Sequence, residues 1–137
     1  MRPLVCLILG LSVLCSLSAC GTLPIAVEPP PQSTLYQRGT NPIIDQQITE
    51  VEQNVSEQRQ ASQKTYYLIP SGTDLMSQYT LIGRLKSYYR ERTGWAKETS
   101  TGDSYYYATR SGGQAYLIIN LVPLADRLLV IEGIRQE

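Results

Sequence analysis

Ala115-Tyr116-Leu117-Ile118-Ile119-Asn120-Leu121-Val122-Pro123-Leu124-Ala125-Asp126-Arg127-Leu128-Leu129-Val130-Ile131-Glu132-Gly133-Ile134 is the stretch on which the fold turns. Apolar residues run almost unbroken on both sides of the Pro123 to Asp126 turn, so neither half alternates as a strand with one wet face would. Gln114 to Val122 and Arg127 to Ile134 therefore read as central strands, apolar on both faces. Asn120, Pro123, Asp126, Arg127 and Glu132 interrupt the run too often for a transmembrane helix.

Upstream, Ser111-Gly112-Gly113 marks a turn, and Trp95 to Thr99 can pair with Ser104 to Arg110 across Ser100-Thr101-Gly102-Asp103. Thr65-Tyr66-Tyr67-Leu68-Ile69 reads as a further strand, closed by Pro70. Ser71-Gly72-Thr73-Asp74 supplies helix-start chemistry, either Ser71 and Asp74 at capping-box spacing or Thr73 as the cap itself. Leu75, Tyr79, Ile82, Leu85 and Tyr89 then recur at helical spacing, which predicts a helix over 73–92. Arg84, Lys86, Arg90 and Arg92 suit its negative end, and Thr93-Gly94 stops it. The expected class is α+β: a small, mostly antiparallel sheet of four or five strands with one helix packed on a face, formed by residues 64–137.

Before this unit the composition changes. Residues 20–40 contain Pro24, Pro29, Pro30 and Pro31 among small and polar residues and read as a semi-rigid tether. Asn41-Pro42 looks like a helix start, with Asn at the N-cap and Pro at the first helical position. A polar helix, rich in Gln and Glu, is expected over 41–63. Ile44, Ile48, Val51 and Val55 form a narrow apolar stripe on it. Three readings of that stripe stand: a solvated extension of the spacer, a helix docked on its own domain, or a helix docked on a partner. Residues 21–63 are acidic, with Arg38 and Arg59 against Glu28, Asp45, Glu50, Glu52 and Glu57.

The first residues read as an address. Met1-Arg2-Pro3 is a short positive start, and the apolar run from Leu4 to Leu14 has the length of a signal-peptide core, well short of the roughly 20 residues that span a bilayer. Leu17-Ser18-Ala19-Cys20 resembles the lipobox of bacterial lipoprotein precursors. The resemblance covers residues 1–20 and implies export, acylation of the Cys20 thiol, removal of residues 1–19 and a membrane attachment through N-terminal acyl chains. One acyl chain binds a membrane marginally and two or more hold it stably, so triacylated Cys20 is expected to anchor the protein. Gly21, in place of the Asp that such precursors carry when retained at the inner membrane, implies the outer membrane, on its periplasmic side. Cys6 and Cys15 leave with the leader and Cys20 is used by lipid, so no disulfide is expected.

Composition narrows the chemistry. The chain has 137 residues, 12 basic and 12 acidic side chains, ten tyrosines and neither histidine nor phenylalanine. Without imidazole, serine-histidine and cysteine-histidine catalysis and histidine-bearing zinc sites are excluded. Without a basic excess, nucleic-acid binding is not expected. No glycine opens a phosphate loop, and Glu91, Glu98, Asp103, Asp126 and Glu132 are scattered, so no catalytic residue, cofactor or metal site is assigned.

Aromatic residues interleaved with arginine are the unusual feature: Tyr66-Tyr67, Tyr88-Tyr89, Tyr105-Tyr106-Tyr107, Tyr116 and Trp95 beside Arg84, Arg90, Arg92 and Arg110. Either tyrosine replaces the absent phenylalanine in the core, or part of the run faces outward as a binding surface. The candidate partner-binding residues are therefore Ile44, Ile48, Val51 and Val55 together with Tyr105, Tyr106 and Tyr107. Anchor, spacer, polar helix and small head suit a non-enzymatic accessory subunit of an envelope assembly such as a secretion or conjugation channel, a pilus or an outer-membrane machine. In layout the chain resembles small lipoproteins of type IV secretion systems. The alternative is a module that grips peptidoglycan or another glycan with a Tyr/Trp/Arg face.

Overall fold

A computed structural model describes residues 28–93, 97–101, 103–109 and 115–135 of the chain. The stretch quoted above forms its centre: β5 (Ala115–Pro123) pairs antiparallel with β6 (Arg127–Ile134), Leu117 opposite Ile134 and Pro123 opposite Leu128. Before them come β1 (Thr34–Tyr36), α1 (Pro42–Asn54), α2 (Ser56–Arg59), β2 (Gln63–Pro70), α3 (Leu75–Thr93), β3 (Lys97–Thr101) and β4 (Asp103–Thr109). The strands make one sheet in the order β1-β2-β6-β5-β4-β3, with every neighbouring pair antiparallel. The fold is α+β. Its first long strand lies against its last, and α3 carries the chain from β2 to the far edge at β3.

Side chains alternate across the sheet, and each face has its own cover. Tyr67, Ile69, Leu117, Ile119, Leu121, Leu128 and Val130 form one face and pack with Leu85 and Tyr89 of α3. Val122, Leu129 and Ile131 form the other and pack with Tyr36 and with Ile44, Ile48 and Val51 of α1. Two strands apolar on both faces require two covers, and α3 can supply only one.

Two expectations are corrected here. The sheet has six strands rather than four or five, and the added edge strand β1 lies within residues 20–40, where a tether is expected. The stripe on the polar helix is spent on the chain's own sheet: Ile44, Ile48 and Val51 are buried and Val55 packs beside them. A boundary at residue 64 therefore does not separate a head from a spacer helix, because residues 34–59 complete the same core.

Local chemistry explains the two long helices. Asn41 caps α1 by accepting from the backbone N–H groups of Ile43 (3.0 Å) and Ile44 (3.4 Å), with Pro42 in the first turn. Asp45 in that turn accepts from the backbone of Gly39, which has a positive φ of 98°, and from the Tyr36 hydroxyl at 2.7 Å. The cap of α3 is neither Ser71 nor Thr73 but Asp74, whose carboxylate accepts from the Ser77 N–H at 2.8 Å and the Ser77 hydroxyl at 2.6 Å. These bonds hold the Asp74 carboxyl below its ordinary range.

Candidate functional site

The buried side of α3 is Gln78, Leu85 and Tyr89, flanked by the half-buried Leu81, Ile82 and Tyr88. Leu75 and Tyr79, expected on the same stripe, are instead 69% and 66% exposed, and Met76 between them is 75% exposed. Helical spacing fits either set, since 75, 79 and 82 and 78, 82 and 85 have the same period. The polar tie of Gln78 selects the second: its side-chain N–H donates to the Leu124 carbonyl at 2.9 Å. The first turns of α3 thus display Leu75, Met76 and Tyr79 to solvent.

Farther along α3 the chain's own N-terminal segment lies across the helix. The Tyr88 hydroxyl donates to the Glu28 carbonyl at 2.7 Å and to the Pro29 carbonyl at 3.1 Å. Pro31 closes a groove with Thr80, Gly83, Arg84, Ser87 and Tyr88. The Tyr88 ring meets Tyr89 edge-on with centroids 5.2 Å apart, and the Arg92 guanidinium lies 3.8 Å over its centre. Part of the proline-rich stretch is therefore a strap fastened to the head. The tyrosine and arginine that a glycan face would use are here engaged with each other and with the strap.

Behind Tyr88 the Tyr89 hydroxyl donates to the Glu132 carboxyl, inside the core. Burial raises the Glu132 carboxyl to about 7, although the bond from Tyr89 pulls it down, and burial together with the Glu132 charge raises the Tyr89 hydroxyl. On the opposite side of the sheet, Glu52 receives the Tyr66 hydroxyl at 2.7 Å, the Lys64 ammonium at 3.3 Å and the Arg38 guanidinium at 3.1 Å. Burial pushes the Glu52 carboxyl up, but these partners more than offset it and hold it low. Burial and the Glu52 bond push the Tyr66 hydroxyl up to about 12. Both clusters tie helix to sheet.

At the end of the sheet where β5 turns into β6, two shallow clefts share Asp126 and Arg127. One, of about 340 Å³, also involves Thr34, Leu68 and Pro70. The other, of about 300 Å³, lies beside Asn41, Ile43, Gln47 and Leu124. Ile43 is 72% exposed at this rim.

Of the candidate site residues, Ile44, Ile48, Val51 and Val55 face the core and are not available to a partner. Tyr105, Tyr106 and Tyr107 lie in β4, in register with Asn120, Ile119 and Ile118 of β5, and the placement of their side chains lies outside the described residues, as does Cys20. The strap on Tyr88 and the exposed Leu75, Met76 and Tyr79 were not anticipated. The strap leaves no sequence signature, because its hydrogen bonds go to backbone carbonyls. Among the described residues no three acidic or cysteine side chains gather to hold a metal ion, and no helix is long and apolar enough to cross a membrane. No family model, curated protein or solved structure matches the chain.

Proposed function

We propose that the protein is a lipoprotein held through acylated Cys20 on the periplasmic side of the outer membrane, where it serves as a non-enzymatic accessory subunit of an envelope assembly. The observation that carries this reading is the fastening of Glu28 and Pro29 to Tyr88. Only residues 21–27 separate Cys20 from the strap. At 3.3–3.6 Å per residue that link extends to at most about 28 Å, so an anchored Cys20 keeps the head close to the bilayer. Such a tether suits a component that works at a fixed place in a layered assembly.

The non-enzymatic part rests on the absence of imidazole and on the position of Glu132, the one strongly raised carboxyl among the described residues. Glu132 sits in the core against Tyr89 and lines neither cleft. A partner's surface is best offered at the β5–β6 end, where exposed Ile43 stands beside two clefts that share an aspartate and an arginine.

Two measurements test the reading. Cys20→Ser should leave an uncleaved precursor without acyl chains, and unchanged labelling by a palmitate analogue would end the lipoprotein assignment. A photo-crosslinking amino acid at Ile43 should give one discrete, stoichiometric adduct in whole cells. Absence of that adduct, with co-sedimentation on purified peptidoglycan, would favour the glycan-binding alternative.

A further inference from the structure

We infer that the outward face of α3 lies against the anionic lipid surface of the membrane in which the protein is anchored, an inference that rests on the lipoprotein reading. Charge on the helices is divided between the two faces of the sheet. α3 carries Arg84, Lys86, Arg90 and Arg92 with Glu91 and follows its capping Asp74, whereas α1 and α2 on the other face carry Asp45, Glu50, Glu52 and Glu57 with Arg59, and Glu52 there pairs with Arg38 and Lys64. A surface of anionic headgroups attracts the first face and repels the second.

Apolar exposure agrees with charge. Leu75, Met76 and Tyr79 stand out from the first turns of α3, 66–75% exposed. Exposed apolar residues together with basic ones on one surface suit contact with the interfacial plane of a membrane, and tyrosine is at home at headgroup depth.

The tether completes the geometry. The link from Cys20 arrives on α3 itself, at Tyr88, and has a reach of about 28 Å. Leu75 lies 13 residues from Tyr88, about 20 Å along the helix axis at 1.5 Å per residue. An anchored link therefore has enough length for the exposed flank of α3, from Leu75 and Tyr79 to Arg90, to rest on the surface beside the strap, while α1 and the β5–β6 clefts remain open to a protein.

The test uses the mature lipidated chain, reconstituted in vesicles of phosphatidylethanolamine and phosphatidylglycerol that contain nitroxide-labelled lipid. Acylation occupies Cys20, so Tyr79→Cys and, on the far face, Gln53→Cys each present one thiol for a fluorophore. Quenching at position 79 should exceed that at 53 several-fold. It should fall when phosphatidylcholine replaces phosphatidylglycerol, and fall again in Arg84→Glu/Arg90→Glu with unchanged circular dichroism. Equal quenching at 79 and 53 in protein that floats with the vesicles would overturn the inference and leave the anchor intact. A label at 79 that is shielded in native envelopes but unquenched in lipid vesicles would also overturn it and assign the face to a protein partner. A mature chain that does not float with vesicles removes the lipoprotein reading and this inference with it.

Discussion

Gln58 occupies the space that Gly133 leaves by having no side chain. The Gln58 side-chain N–H groups donate to the carbonyls of Ile118 (3.0 Å) and Ile131 (3.1 Å), which brings the amide oxygen down onto Gly133. A Cβ on Gly133 would collide with that oxygen and stand 2.9 Å from the Ala61 Cβ. Gly133→Ala should therefore destabilise the protein by about 1–3 kcal/mol, the usual range for overpacking. Gly83 in α3 is the control, because an added Cβ there meets nothing within 4 Å. Gly83→Ala should stabilise by about 0.5–1 kcal/mol through helix propensity alone. Urea unfolding of both variants checks the pair, and a neutral Gly133→Ala would show that α2 moves aside without cost.

Ile48 is fully buried between α1 and the sheet, among Tyr36, Val122, Leu129 and Ile131. Ile48→Ala should cost about 2–5 kcal/mol, lost transfer energy plus the cavity left behind. An interface residue would behave differently, with partner binding lost and the melting temperature kept. Thermal unfolding of the variant therefore distinguishes core from interface, and an unchanged melt would return the helix to the role of a free docking surface.

The Glu132 carboxyl gives stability a pH dependence of definite sign. Its folded value, about 7, lies above the ordinary 4.5, so folding favours the protonated form. Its contribution is fully present below about pH 4.5 and is lost as pH rises to about 7, a change of the order of 3 kcal/mol at 1.36 kcal/mol per unit. Glu132→Gln can still accept from Tyr89 and should flatten this part of the profile, gaining most over the parent above pH 7. Glu52 acts in the opposite sense: its carboxyl is held low, so its contribution is lost as pH falls below about 4.5. Urea midpoints across this range, for the parent and for Glu132→Gln, check both signs. Parallel profiles would mean that Glu132 is not the group responsible.

Strand and helix periods made much of this fold legible. Arg127 to Ile134 is a strand with the expected bounds, and the helix expected over 73–92 is found at Leu75–Thr93. Three features were not legible, each for a physical reason. β1 pairs through three residues, Thr34 to Tyr36, by backbone bonds that any residue type can make. The stripe on α1 has no preference between solvent, partner and sheet until the second apolar face of β5 and β6 is counted as needing a cover. On α3 the tie from Gln78 to Leu124 turns Leu75 and Tyr79 outward, and a polar residue facing inward is invisible to an apolar period. At the candidate site, residues Arg84, Tyr88 and Arg92 stood out in the sequence, but what they hold, a strap from the same chain, did not.

That strap is the last testable relationship. Tyr88→Phe keeps the ring under Arg92 and removes the hydroxyl that bonds Glu28 and Pro29. The freed carbonyls are exposed and can turn to water, so the cost in global stability should be small, about 0.5–1.5 kcal/mol. The local effect should be larger. Ser33 donates its N–H to the Pro30 carbonyl within the strap, and its hydrogen exchange should accelerate about tenfold while exchange along β6 stays as it was. Release would also lengthen the free link from residues 21–27 to residues 21–33, since β1 becomes the first fixed point, and its reach would grow from about 28 to about 50 Å. A head held near its anchor by Tyr88 should then wander farther from the membrane in Tyr88→Phe, which energy transfer from a label at Gln53→Cys to an acceptor lipid reports. Unchanged exchange at Ser33 would mean that proline packing alone keeps the strap in place and that the hydroxyl is incidental.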